Sequence, residues 1–256
     1  MTETPEYAVP ALDKALDILE LLAAESGGRT QSEIADAVGR TVGQIFRVLT
    51  TLERRGYIFR DRQSGLYILS TRMFEIAHQH APLRGLVVQA LSPMRDLAMR
   101  ISQSCNLSVL DADRALVIAQ VESPADFGYR VRVGAAFPLS STITGWVLVA
   151  GAPADVRASL GDGAVSTAAS RTAAKQLAEL GYVTRQDPLQ AGITDVVVPV
   201  IGVGGSTVAA LTVPYVATTF SASSVETVVR AAQDTGRFIS DRMQGVAVLQ
   251  RVEFEA

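Results

Sequence analysis

The chain has 256 residues, 48% hydrophobic and 19% charged, an ordinary globular composition with room for one large domain or, as expected here, two smaller ones. A net charge of -3 and a pI near 5.5 give no global sign of a nucleic-acid or membrane partner, so any electrostatic argument has to be local. The single cysteine, Cys105, excludes an intrachain disulfide and an all-cysteine zinc site, and no uninterrupted apolar run reaches membrane-spanning length, so a soluble, cytoplasmic protein is expected.

The opening MTETPEYAVP lacks both a basic stretch and an apolar core of the kind an export signal needs. Leu12, Ala15, Leu16, Leu19, Leu22 and Ala23 then recur at helical spacing, and the SGG at 26–28 ends that first helix. Thr30, Gln31, Ser32 and Glu33 form a capping box, in which the threonine oxygen takes a free backbone N–H and the glutamate reaches back to the cap residue. A short second helix follows, with Ile34, Ala35 and Val38 on its apolar side and Gly39 as its stop. Thr41, Val42, Gly43 and Gln44 repeat the box, so a third helix is entered through a tight turn.

That third helix carries two patterns. Val42, Ile45, Phe46, Leu49 and Leu52 make an apolar stripe, which needs a core, while Arg40, Gln44, Arg47, Thr51, Arg54 and Arg55 gather on the other side. From Arg40 to Arg72 there are seven arginines against two acids, Glu53 and Asp61, a local excess of five positive charges in a chain that is otherwise acidic. After Gly56 two short β-prone runs, Tyr57 to Phe59 and Leu66 to Leu69, flank RDRQSG, which reads as a hairpin with a basic loop. Three helices and such a hairpin make a winged helix-turn-helix, whose third helix enters the major groove while the wing reaches the backbone. The expected DNA-contacting residues are Arg40, Thr41, Gln44, Arg47, Thr51, Arg54, Arg60 and Arg62, because guanidinium forks and amides grip the paired acceptors of phosphates and base edges.

Residues 72–103 read as helix, broken near HAPLRG and marked again by Pro93, with Leu86, Val87, Ala90, Leu91, Met94, Leu97, Ala98 and Ile101 on one apolar side. Beyond Asn106 the runs NLSVL, ALVIAQV, YRVRV, DVVVPVI and STVAALTV alternate with helical stretches at 144–150, 171–181 and 222–247, and GDGAVSTAAS at 161–170 reads as a loop or helix entrance. Strands joined mostly through turns predict an antiparallel sheet with helices on its faces, an α+β domain. GVGG at 202–205 joins two strands with no helix behind it, so it is a hairpin turn and not a phosphate cradle. The only histidines, His78 and His80, lie in the connector, which leaves the second domain without a histidine for a hydrolytic triad and the pair without a third metal ligand. No enzyme activity, cofactor or metal is expected. Trp146 is expected in the core or at an interface.

Taken together, ALDILELLA, SEIADAVG, IFRVLTTLERRGYIFRD and GLYIL in the first domain, and CNLSVLD, RVRVGAAFPL and AGITDVVVPV to VAALTVP in the second, resemble the IclR family of bacterial transcriptional regulators. The resemblance runs over nearly the whole chain. It implies a winged helix-turn-helix at 1–71, a linker helix at 72–82 and a GAF or PAS-like effector-binding and oligomerisation domain at 83–256. It also implies homodimers or homotetramers on a double-stranded DNA operator, with occupancy set by a small metabolite, small organic acids being common effectors of similar proteins; Asp195, as a hydrogen-bond acceptor in the pocket, adds the expectation of a polar effector that carries a donor. Carried over by position, the effector-binding candidates are Gly134, Ala135, Thr142, Arg185, Asp195 and Thr212, with Arg185 as the cation that would pair with Asp195 or with the acid. The chain departs from the family pattern in three places: Gly43 and Gln44 replace a frequent Ser-Thr pair, Ser140 a frequent histidine and Asp195 a frequent cysteine. The alternative reading is a ligand-sensing interaction protein without a specific operator.

Overall fold

The computed structural model describes residues 9–243 apart from 26, 80, 127, 161–167 and 218–222. His80, most of the expected loop at 161–170 and the ends of the last expected helix, 222 and 244–247, therefore lie outside the described residues. The chain divides into two compact units, residues 1–80 and 81–256.

The first unit holds helices α1 (Pro10–Ala23), α2 (Gln31–Ala37) and α3 (Val42–Arg54), the hairpin β1 (Ile58–Arg60) and β2 (Tyr67–Leu69), and helix α4 (Arg72–Gln79). Both capping boxes are in use. Thr30 Oγ1 accepts the Glu33 N–H at 3.3 Å while Glu33 Oε2 accepts the Thr30 N–H at 2.8 Å, and Gln44 Oε1 accepts the Thr41 N–H at 3.0 Å. Gly39, between the two boxes, takes the left-handed conformation with φ +62° that ends α2. The core is Ile18, Leu22, Ile34, Ile45, Leu49 and Ile58, all buried.

Two expected stripes are only partly used. On α1 Ile18 and Leu22 are buried, whereas Leu12 and Leu16 are exposed; on α3 Ile45, Leu49 and Leu52 are buried, whereas Val42 and Phe46 stay exposed. A core this small covers only about a third of each helix, so the residues one step round the wheel are left outside. One contact went unread in the sequence. Arg29 and Tyr67 exchange both backbone hydrogen bonds, at 3.0 and 2.7 Å, which adds a one-residue third strand to the wing and ties it to the entry of α2.

The second unit is a six-stranded sheet in the order β5-β4-β3-β8-β7-β6, with every neighbouring pair antiparallel. Its strands are β3 (Cys105–Asp111), β4 (Arg114–Val121), β5 (Ala136–Pro138), β6 (Val183–Gln186), β7 (Ile193–Ile201) and β8 (Thr207–Val216). Helix α5 (Ala81–Ile101) and the last helix, α9 (Val225–Met243), cover one face. There Leu86, Met94 and Ile101 of α5 and Val228 and Ile239 of α9 meet Val196, Val198 and Val213. Helices α6 (Ile143–Gly151), α7 (Ala154–Ser159) and α8 (Ala168–Leu180) belong to the other face, where Ile143, Val147 and Val156 pack with Val197 and Ala210. The period-two alternation of β7 and β8 thus sorts neighbouring residues between two cores. Helix α5 runs through Pro93, and its predicted apolar side is the buried one.

YRVRV is not a strand. Val131 gives its N–H to the Gln120 side chain at 2.8 Å, and the ladder on β4 is taken up by Gly134 and Ala135, which pair with Val117, and then by β5. Alternating valine and arginine carried the expectation, but the turn at Gly134 comes too early for the run to pair. Strand β6 and helix α7 were not expected; each offers a single fully buried apolar residue, Val183 and Val156, too little for a periodic signal.

Candidate functional site

Each unit presents one candidate site. On α3 the spacing of 44, 47, 51 and 54 places Gln44, Arg47, Thr51 and Arg54 on the side away from Ile45, Leu49 and Leu52, and all four are exposed, as are Arg40 and Thr41 in the turn that enters the helix. Arg47 and Arg54 make no ion pair among the described residues. The Thr51 hydroxyl donates to the Arg47 carbonyl at 2.8 Å. Gln44 has its amide oxygen engaged at the cap, which leaves its NH₂ group to meet an outside acceptor.

In the wing, Asp61 Oδ1 accepts the N–H groups of Gln63 and Ser64 at 2.8 and 2.7 Å and the Ser64 hydroxyl at 2.9 Å. These bonds, the Ser64 N–H foremost, hold the Asp61 carboxyl below its ordinary range. The acid between the two arginines is therefore spent on the turn. Arg60 bends back, donating from Nε to the Gly65 carbonyl at 3.2 Å with its guanidinium 5.5 Å from the Tyr67 ring centre. Arg62 is exposed at the tip.

The second site is a cavity of about 70 Å³ on the α6 face of the large sheet, several times the space one water needs. Of the effector-binding candidates, Thr142, Asp195 and Thr212 line it; Gly134, Ala135 and Arg185 do not. Gly134 and Ala135 spend their backbone on Val117, which does line it, and the exposed Arg185 forms no ion pair with Asp195 although the two are register partners. The expected cation for an acid ligand is therefore missing from the cavity's described walls.

Asn106, Ser108, Tyr129, Thr144 and Asp187 are lining residues that were not foreseen. Asn106 and Ser108 had a readable signal, since they alternate with Leu107 and Val109 on β3 and so put polar groups on one face of an otherwise apolar strand. Thr144 sits at the start of α6, where its hydroxyl lies 2.8 Å from that of Thr212 across the site. Tyr129 and Asp187 come from loops whose course is not coded locally.

Asp195 is only 7% exposed, and among the described residues its carboxylate makes no hydrogen bond or ion pair. Burial, with Asp187 adding repulsion, pushes its carboxyl from an ordinary 3.8 up to about 7. The Tyr129 phenol is pushed up as well, by burial first and then by Asp187 and Asp195. Cys105 takes no part: its thiol is buried in the opposite core and pushed up to about 12. Trp146 is also a packing residue, its indole N–H donating to the Ser140 carbonyl at 2.9 Å.

Comparison with known proteins agrees with both units. Residues 11–62 match the IclR helix-turn-helix domain and residues 82–241 the C-terminal domain of the bacterial transcriptional regulator IclR, families of regulators and not of enzymes. The chain is 26% identical over 247 residues to the transcriptional regulator KdgR of Escherichia coli, covering 92% of this chain and 93% of that one. It is 31% identical over 142 residues to the glycerol operon regulatory protein of Streptomyces coelicolor, where the match spans only 56% of either chain. Among solved structures, an IclR homolog from Microbacterium hydrocarbonoxydans complexed with 4-hydroxybenzoate superposes with a TM-score of 0.75 at 22% identity, covering 91% of this chain and 98% of that one. The Thermotoga maritima IclR gives 0.73 at 21% identity, again over 91% and 98%. A regulator's helix-turn-helix model over the first unit and its C-terminal model over most of the second, in that order, mean that the chain belongs to the IclR family of bacterial transcriptional regulators.

Proposed function

We propose that the protein is a sequence-specific, DNA-binding transcriptional regulator whose operator occupancy changes when a small polar molecule enters the cavity of its second unit. In this reading residues 83–256 form a GAF-like sensor, residues 72–82 link it to the winged helix, and the chain acts as a homodimer or homotetramer in the cytoplasm. What carries it is the exposed face of α3, where Arg47 and Arg54 make no ion pair among the described residues, on a chain of net charge -3. A solvated helix face on an acidic protein ordinarily mixes both signs; an unpaired basic face suits the phosphate backbone. Further support comes from names: a relative regulates a glycerol operon, and a structural neighbour was solved with a small phenolic acid.

The test is retention of labelled DNA from upstream of the protein's own coding region, in a salt series and with an excess of random competitor. Specific, salt-sensitive retardation is expected, with a slope of roughly -0.9 per phosphate contact. Retardation that random DNA abolishes would favour the interaction protein without an operator.

A further inference from the structure

Among the described residues the cavity offers one kind of charge. Asp195 and Asp187 both line it, and neither Arg130, Arg132 nor Arg185 does; Arg130 is paired instead with Glu122 at 3.1 Å. Apart from the Thr142 hydroxyl, which donates to the Pro138 carbonyl and accepts the Gly145 N–H, the remaining polar groups are hydroxyls and amides from Ser108, Tyr129, Thr144, Thr212, Asn106 and Gln190, which can both accept and donate. The Asp187 carboxylate is already held in its loop, Oδ1 accepting the N–H groups of Leu189 and Gln190 at 2.6 and 3.2 Å. Asp195, more than nine-tenths buried, has no such partner among the described residues. Val117, Val131, Phe137 and Pro214 supply the apolar part of the wall.

An unpartnered buried carboxylate beside a second carboxylate is a costly arrangement unless something arrives to neutralise it. A ligand carboxylate would be a third anion in the same space. A protonated amine would reverse the cost, because its three N–H donors can reach Asp195 and the flanking hydroxyls while its charge offsets the pair.

We infer that the cavity takes a small molecule with a protonated amine head on an apolar body, the head seated on Asp195, and that it disfavours the carboxylate-headed counterpart. This rests on reading the cavity as the effector site and goes further by naming the class of effector.

The experiment is calorimetry on the full wild-type chain at pH 8 with three probes that share one body: benzylamine, benzyl alcohol and benzoate. Benzylamine is expected to bind about tenfold or more tighter than benzoate, which corresponds to roughly 1.4 kcal/mol, with the alcohol between. Asp195→Asn, near in size to the original, should weaken benzylamine about tenfold and narrow the spread. Benzoate binding wild type as tightly as benzylamine, or none of the three binding at millimolar concentration, overturns the inference. Operator retardation run with the same probes separates it from the reading beneath it. The amine order without any change in occupancy upholds the ligand class and sinks the effector role; benzoate binding that does change occupancy does the reverse.

Discussion

Arg185 on β6 stands directly opposite Asp195 on β7, yet the guanidinium is exposed and the carboxylate buried, and the two do not pair. Register alone would make them a cross-strand ion pair, since partners across an antiparallel ladder share a face. The difference comes from β6 being the edge strand: a long side chain there reaches water, and desolvating it to meet Asp195 would return little. Asp195 is left in the cavity wall without a counter-ion among the described residues.

The first prediction follows from that isolation. A carboxyl raised from 3.8 to about 7 in the folded state binds more protons folded than unfolded across that interval, so its contribution to stability is greatest at low pH and falls as pH rises toward 7. At about 1.4 kcal/mol per unit the loss reaches roughly 4 kcal/mol, an upper figure. Asp187, which lines the cavity with it, repels the carboxylate and so acts in the same direction. Asp195→Asn, which cannot ionise, should therefore unfold at higher temperature than wild type at pH 8, with the gap shrinking by pH 5. Parallel melting curves for the two proteins at both pH values provide the check, and a gap independent of pH would mean that Asp195 is not the titrating group.

Gly28 gives a second. Its φ of +78° is unfavourable for any other residue, and an added Cβ would stand 2.7 Å from Ile68 Cγ1 and 2.8 Å from the Tyr67 carbonyl oxygen. Tyr67 is the residue that bridges to Arg29, so Gly28→Ala strains the tie between the wing and the entry of α2. A loss of about 1 to 3 kcal/mol is expected in urea unfolding of the first unit's transition. DNA affinity should fall with it even though Gly28 lies off the basic face. Unchanged stability would show that the bridge can be given up freely.

How much of this was legible depended on range. The caps at Thr30 and Thr41 are local chemistry, fixed by residues three apart, and both formed. The stripe of α5 was legible because its helix has a broad sheet to lie on, whereas α1 and α3 carry more apolar residues than their small core can cover, so Leu16 and Phe46 could not be placed by periodicity. In the cavity, Thr142, Asp195 and Thr212 came from positional resemblance. Asp187 and Tyr129 could not be reached that way, because which loop closes over a strand end is decided by the long-range pairing of β6 with β7 and of β4 with β5. Arg185 misled for the reason already given: register says which residues are opposite, not which are wet.

Within the wing the two arginines should behave differently, which is the third prediction. Arg60 is already seated on Tyr67 and on the Gly65 carbonyl, so Arg60→Ala removes a packing contact as well as a charge. Arg62 has no partner in its own chain among the described residues. Arg62→Ala should leave the melting temperature unchanged and reduce the salt slope of DNA binding by about one, while Arg60→Ala should lower both. Equal effects on stability would mean that the Tyr67 contact contributes nothing.

Arg47 lies at the middle of the α3 face, and Arg47→Ala is the fourth prediction. A guanidinium that grips a base edge costs roughly 1 to 3 kcal/mol on the operator when removed and less on random DNA, whereas one on a phosphate costs the same on both. The first pattern is expected, measured by titrating both DNAs at one salt concentration. Equal losses would assign Arg47 to the backbone.

Gln44 separates folding from recognition. Its amide oxygen accepts the Thr41 N–H at 3.0 Å, which completes the second capping box, and its NH₂ group is the only part left to face DNA. A glutamate at the same place keeps the acceptor and adds a negative charge at the positive end of the helix, a gain of about 0.3 to 1 kcal/mol. It also removes both amide donors and sets an anion among the phosphates. Gln44→Glu should therefore hold or raise the melting temperature of the first unit while weakening operator binding by about tenfold or more. Gln44→Ala should do something different, lowering stability through the lost cap and weakening binding to a smaller degree, since no repulsion is introduced. Melting curves and operator titrations on the two variants decide the matter. If Gln44→Glu binds operator as tightly as wild type, the start of α3 stays clear of the DNA, and the base-reading face has to begin at Arg47.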